Sequence, residues 1–389
     1  MAGSPLLAGI TVLDLSSVGP ASRASRMLAD YGARVVKIAP TSRKGAVQIR
    51  PPFHTYGAGR GLERMQIDLK AEAGREAFLA LAAKADVVIE SYRPGVVARL
   101  GIGYEDVRRV NPRIVYCATS GYGQSGPYSA WAGHDINYLA LGGYLACSTP
   151  AEDGGPPIPG ATVADAAGGG MHAVIAILAA LVRRAASGEG AYLDVAAAEG
   201  VLSLMSLSID QFLAGDGEAG PRKALLTGRY ACYDVYRARD GKWLSVGAIE
   251  PHFWANLCRL LGLDEYARLQ TDDSRQDEIR AAFSSRFAER DRDDWVRELA
   301  PADTCVAPVY TIPEIVDDPH LNARGVFMEA EHREHGRFRQ VSPLLAGGDR
   351  AQLLHRVREA DETDASALLG EAGLSGARIE QLRADGIVE

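Results

Sequence analysis

The chain predicts an α/β protein, with a large domain built on a parallel sheet and a smaller α+β domain. Three observations carry this. Short β-branched runs recur near the N-terminus, with helical stretches between them. The first two are spaced as a strand–helix–strand unit, a connection that demands a parallel sheet. After about Gly220 the pattern changes to a hairpin followed by amphipathic helices. At 389 residues the chain is long enough for two or three folded units.

Taken in order, Ile10 to Leu15 predicts the first strand, Ser16 to Pro20 a turn, Ala21 to Tyr31 an amphipathic helix, and Ala33 to Ile38 the second strand. Gly32 ends that helix. Asp86 to Glu90 and Arg113 to Cys117 repeat the strand pattern, so the first 200 or so residues read as a doubly wound layer. Met171 to Val182 is the most apolar stretch; it is too short to span a bilayer and reads as a buried helix. Tyr230 to Ala238 and Lys242 to Ala248 alternate around Asp240-Gly241, which predicts a hairpin. Helices are expected over Pro251 to Leu261, Asp277 to Arg290 and Asp293 to Leu299, then a loop-rich stretch after Val309 and a polar helix near Ile379 to Asp385. The expected organisation is residues 1–218 as the first part of the large domain, 219–310 as the small domain, and 311–389 as a linker and segment returning to the large domain.

Composition narrows the function. With 47% hydrophobic and 24% charged residues the chain is neither disordered nor fibrous. A net charge of −8 disfavours general binding to nucleic acid or an anionic membrane. The N-terminus carries no targeting pattern, and five scattered cysteines without a CxxC pair read as reduced thiols in a cytoplasmic protein. No metal-ligand set stands out: His172 reads as a core residue, and His332 and His335 lie in a charged loop. GxGxxG and Walker motifs are absent, which sets nicotinamide chemistry aside.

Residues 37 to 70 are locally basic. Lys37, Arg43, Lys44, Arg50, Arg60, Arg64 and Lys70 face only Glu63 and Asp68, which reads equally as a solvated loop or a polyanion site at a strand end. Three acid–base candidates, His134, Asp165 and Glu250, each stand at a predicted helix start, where unpaired N–H groups favour developing anions. Each alone is as well read as a cap or packed side chain. Together they supply the acid–base groups and N–H donors that enolisation requires.

Ala132-Gly-His-Asp-Ile-Asn-Tyr138, Val163-Ala-Asp-Ala-Ala-Gly-Gly-Gly170 and Val246-Gly-Ala-Ile-Glu-Pro251 resemble the α-methylacyl-CoA racemase branch of the family III CoA-transferase (CaiB/BaiF) superfamily. Ile67-Asp-Leu-Lys70, Tyr92-Arg-Pro-Gly95, Gly121 to Pro127, Asp303 to Pro308 and Asp318 to Gly325 extend the resemblance over nearly the whole chain. It implies a Rossmann-like large domain and an interlocked homodimer, with the active site between the large domain of one chain and the small domain of the other. It further implies His134 and Asp165 as the two bases, Glu250 as the partner of the histidine, and the Asp135 N–H as the donor to the thioester oxygen. CoA contacts are expected from Lys37, Ile67, Asp68, Leu69, Lys70, Tyr92, Arg93 and Arg99, and substrate contacts from Gly133, Asp135, Ile136, Asn137 and Tyr138. No cofactor is implied beyond the coenzyme A of the substrate itself. The implied reaction is inversion at C2 of a 2-methyl-branched acyl-CoA. The alternative is CoA transfer to a free carboxylic acid with Asp165 as nucleophile. Ala166, Thr227-Gly-Arg229 and Lys37-Ile-Ala-Pro40 depart from the racemase pattern.

Overall fold

The computed structural model describes residues 5–344 and 354–389, apart from 17, 42–58, 216, 218, 360 and 361. The chain divides into two compact units. The first comprises Met1–Gly143, Pro159–Met205 and Asn322–Glu389, and the second Tyr144–Ile158 and Ser206–Leu321. The sequence boundaries at 219 and 310 therefore fall inside the second unit, which also takes in a short excursion after Gly143.

The first unit is a mixed α/β fold around a six-stranded parallel sheet. Its strands are β1 Thr11–Asp14, β2 Arg34–Ala39, β3 Glu63–Gln66, β4 Val87–Glu90, β5 Val115–Ser120 and β6 Ala191–Ala196, in the order β3-β2-β1-β4-β5-β6. Alternation along each strand feeds two cores. Val12, Val35, Val87, Ile89, Val115 and Cys117 face one layer, with Ala21, Ala24 and Leu28 of the helix Gly19–Asp30. Leu13, Val36, Val88 and Tyr116 face the other, with Phe78 and Leu81 of the helix Glu72–Ala82. Strands buried on both faces suit a parallel sheet covered by helices. The chain winds outward from β1 in one direction and then from β4 in the other. The crevice beyond the carboxyl ends of β1 and β4 is thus the place where such sheets bind ligands.

The C-terminal segment packs against this unit. Ala365, Leu368, Leu369, Ile379 and Leu382 join the second of those cores, and Ile67 pairs with Val388 in an isolated antiparallel bridge. The stretch expected to be loop-rich instead holds a hairpin, β10 Phe327–His332 with β11 Gly336–Val341, flanked by β12 His355–Arg356. Its alternating charges hide the strand pattern, because β11 buries little of either face. The apolar helix is also longer than its most apolar stretch. Ala164–Ser187 is one continuous helical element of 24 residues, long and apolar enough by composition to cross a membrane. Ala173, Val174, Ile177 and Ala180 on one face lie in the core of the sheet layer, and the mostly buried Arg184 pairs with Asp86 at 2.7 Å.

In the second unit, β7 Tyr233–Arg237, β8 Trp243–Gly247 and β9 Val306–Pro308 form an antiparallel sheet. Gly241, at φ 79°, makes the turn between the first two. The helices Pro251–Leu261, Gln276–Phe287 and Arg292–Leu299 cover it. Trp254 stacks on Phe283 at 4.9 Å and donates its indole N–H to the Tyr266 carbonyl at 3.0 Å, so its one polar group is satisfied in the core.

Candidate active site

His134 immediately precedes the helix Asp135–Leu141 in extended backbone, and its N–H donates to the Asn137 side chain at 3.0 Å. This returns the third helical residue onto the entry of the helix and fixes where it starts. Tyr138 braces the same entry from below. Its hydroxyl donates to the Gly133 carbonyl at 2.6 Å, and a Cβ on Gly133 would stand 2.7 Å from both the Tyr122 hydroxyl and the Tyr138 ring. Glycine at 133 is therefore a steric requirement. Ile136 remains substantially exposed.

Asp165 is the second residue of a π-helical segment, Ala164–Met171, which continues directly into the helix His172–Ser187. Wide turns of this kind recur at functional positions. The glycine run explains the packing. A Cβ on Gly169 would lie 2.5 Å from Pro20, and one on Gly200 would lie 1.7 Å from the Gly168 carbonyl oxygen. Helices Gly19–Asp30 and Ala197–Leu204 thus close onto this segment as no larger residue permits.

The segments that carry the candidates His134 and Asp165 are tied together. The Asp165 N–H donates to the Asp135 carboxylate at 2.8 Å. Burial raises the Asp165 carboxyl above its usual range, the neighbouring Asp135 carboxylate raises it further, and Arg23 and His134 draw it back. Arg23 was not singled out from sequence. It comes from the first helix, donates to Thr162 at 3.3 Å and contributes positive charge beside Asp165. Its only sequence signal was its place just after the Ser16–Pro20 turn.

Glu250 belongs to the second unit. It precedes Pro251, the first residue of the helix Pro251–Leu261, in extended backbone, and its carbonyl accepts from Trp254 at 3.1 Å. Gln270 braces the turn before it, donating to Ala248 at 2.9 Å and Ile249 at 2.7 Å. That glutamine gave no sequence signal.

The expected CoA contacts divide into two kinds. Lys37, on β2, donates to the buried Asp14 at 2.8 Å and to Ser16 at 2.9 Å, so much of its hydrogen-bonding capacity is internal. Ile67 and Leu69 are buried core side chains, and Asp68 is buried with its carboxylate accepting from the Lys70 N–H. Lys70, Arg93 and Arg99 are exposed, and Tyr92 is half-buried; they follow the carboxyl ends of β3 and β4. Within the basic segment, Arg60 donates to Asp30 and Val341, and Arg64 to the Glu359 and Glu362 carbonyls, so these two tie the chain together. Arg43, Lys44 and Arg50 lie outside the described residues.

A further buried acid, Glu90, ends β4 at the crevice. It accepts from the Tyr92 N–H at 2.6 Å. Burial above all, with the Asp194 charge adding to it and the Tyr92 hydrogen bond opposing it, pushes its carboxyl up to about 7. His172, half-buried, has an Nδ1 with no hydrogen-bond partner, so it is not the satisfied core residue expected. Among the described residues no group of His, Cys, Asp or Glu is arranged to hold a metal ion.

The sheet order defines an α/β protein of the kind that binds a ligand across a sheet crevice, and the acid–base candidates His134 and Asp165 stand on neighbouring segments of that unit. The chain belongs to CoA-transferase family III, whose family model matches residues 7–356. It is 35% identical over 386 residues to the alpha-methylacyl-CoA racemase of Homo sapiens, covering 98% of this chain and 97% of that protein. It is 30% identical over 355 residues to the succinyl-CoA:glutarate CoA-transferase of Homo sapiens, covering 87% and 80%. Among solved structures, a CAIB/BAIF family protein from Brucella suis matches with a TM-score of 0.74 at 26% identity, covering 94% of this chain and 99% of that one. Rv3272 from M. tuberculosis matches with a TM-score of 0.76 at 26% identity, covering 90% and 96%.

Proposed function

We propose that the protein inverts C2 of 2-methyl-branched acyl-CoA thioesters by moving a proton between faces through an enolate. The observation that carries this is the hydrogen bond from the Asp165 N–H to the Asp135 carboxylate at 2.8 Å, which holds the Asp165 segment to the helix that His134 immediately precedes. A thioester acidifies its α-proton. One base removes that proton from one face while the other, protonated, returns a proton to the opposite face. Burial and the Asp135 charge make the Asp165 carboxyl hold its proton more readily than an ordinary aspartate does, which suits a group that must both take and return a proton. The N–H of Asp135, the first helical residue, serves the developing oxyanion. Lys70, Tyr92, Arg93 and Arg99 hold the nucleotide end. Coenzyme A arrives as part of the substrate, and the reaction draws on no redox cofactor.

Glu250 lies in the other unit. In this reading it reaches His134 from the partner chain of an interlocked homodimer. The exposed apolar side chains Leu207, Phe212 and Leu213 of the helix Ser206–Leu213 are consistent with a covered face in that assembly.

CoA transfer through Asp165 is the second reading, and the similarity to a succinyl-CoA:glutarate CoA-transferase favours keeping it. The two separate in D₂O with a single-enantiomer 2-methylacyl-CoA and no free acid. A racemase takes up α-deuterium and loses optical purity without an acceptor, and His134→Ala and Asp165→Ala each abolish inversion. If the wild-type protein shows no α-exchange but moves CoA to a free acid, with hydroxylamine trapping the Asp165 carboxyl, inversion is refuted and transfer stands.

A further inference from the structure

We infer that the Asp135 carboxylate is a positioning residue, a strut that sets the spacing between the His134 helix and the Asp165 segment. The inference rests on the two-base reading for the identity of the reacting groups, and on the hydrogen-bond geometry for the strut itself.

Asp135 is the first residue of its helix, directly after His134. Its carboxylate accepts the Asp165 N–H at 2.8 Å, across 30 residues of chain. That N–H lies at the start of the π-helical segment, where backbone donors have no partner within the helix. One side chain therefore satisfies an otherwise orphaned donor and holds the two acid–base segments together. Opposing surfaces leave the segment little room to move. Gly169 meets Pro20, and Gly168 meets Ala197 and Val201. The strut adds a hydrogen bond from the side of the His134 helix.

The same contact places a fixed negative charge beside the Asp165 carboxyl. The other groups acting on that carboxyl are Arg23, from the helix Gly19–Asp30, and His134. Tyr138, on the strut's own helix, in turn feels the Asp165 charge in its phenol. Helix Ala197–Leu204 meets the segment through Ala197, Gly200 and Val201, none of them charged.

The roles of acceptor and charge separate by substitution. Asp135→Asn keeps an oxygen to accept the Asp165 N–H and removes the charge, whereas Asp135→Ala removes both. The Asp165 carboxyl is followed by ¹³C NMR on aspartate-labelled protein, assigned by the signal lost in Asp165→Asn. Its titration midpoint is expected to fall in Asp135→Asn, because a like charge has gone. In the α-exchange assay Asp135→Ala is expected to lose on the order of tenfold or more in kcat, with KM changed far less, as misplacement of a reacting group does. Asp135→Asn is expected to recover most of that loss while the acid limb of its rate profile moves to lower pH.

An Asp165 midpoint in Asp135→Asn equal to the wild-type value overturns the electrostatic half. Wild-type kcat in Asp135→Ala, or an Asp135→Asn variant as slow as Asp135→Ala, overturns the strut. Should Asp135→Ala not fold, Asp135→Asn decides: near wild-type kcat with a displaced pH limb supports the inference, and a large loss of kcat refutes it. The NMR titration needs no turnover. If the protein proves to be a transferase, the same variants are read in the transfer assay, where Asp165 also reacts, so failure of the strut stays distinct from failure of the racemase reading.

Discussion

Glu90 gives the protein a stability that falls as the solution becomes neutral. Its carboxyl is almost fully buried at the end of β4, and burial is the main reason its proton affinity rises from 4.5 to about 7. An ordinary buried acid with a charged partner behaves the opposite way. Here the unfolded chain releases the proton near 4.5, while the folded chain keeps it to about 7. Between those values the native state binds more protons, so unfolding becomes easier as pH rises through that window and levels off above it. At about 1.4 kcal/mol per pH unit, the displacement amounts to roughly 3 kcal/mol. Glu90→Gln retains an oxygen for the Tyr92 N–H and removes the titration. The variant is expected to match wild type near pH 4.5 and to exceed it by roughly 3 kcal/mol at pH 8. Urea unfolding followed by circular dichroism at several pH values, at one fixed protein concentration because oligomerisation alters apparent stability, makes the comparison. Parallel stability curves for the two proteins from pH 4.5 to 8 would refute the reasoning.

Gly200→Ala drives a methyl group to within 1.7 Å of the Gly168 carbonyl, a backbone atom that cannot rotate aside. It is expected to cost about 1–3 kcal/mol or more in thermal or urea unfolding, and to lower activity because Gly168 belongs to the Asp165 segment. If the proposed interlocked dimer forms, it is expected to persist on dilution, since entwined chains separate only by unfolding. Sedimentation at nanomolar protein checks it, and a well-folded monomer there would refute the assembly.

The sequence alone determined the strands β1, β2, β4 and β5, the turn between β7 and β8 and several helix starts, because those signals are short in range. Val12 and Leu13 alternate between two cores since neighbouring strand residues point to opposite faces. Pro251 marks its helix start because its fixed φ suits the first helical position. The placement of the acid–base candidates was legible for the same reason: His134 and Glu250 stand just before helices, and Asp165 one residue inside a helical segment. The roles proposed for them came from motif resemblance, because local chemistry left those roles open. Sequence misjudged what depends on distant partners. The charged hairpin Phe327–Val341 looked like loop because its strands are defined by pairing with each other more than by a buried face. Arg60 and Arg64 sat in a basic segment that read equally as solvated loop or polyanion site, and both bind acceptors from remote parts of the chain. Only the tertiary structure brought Arg23 to Asp165, buried Glu90, and set the Asp135 carboxylate on the Asp165 N–H. Proton affinity and hydrogen-bond satisfaction follow from the groups that surround an atom in space, and the order of residues along the chain does not specify those until the chain has folded.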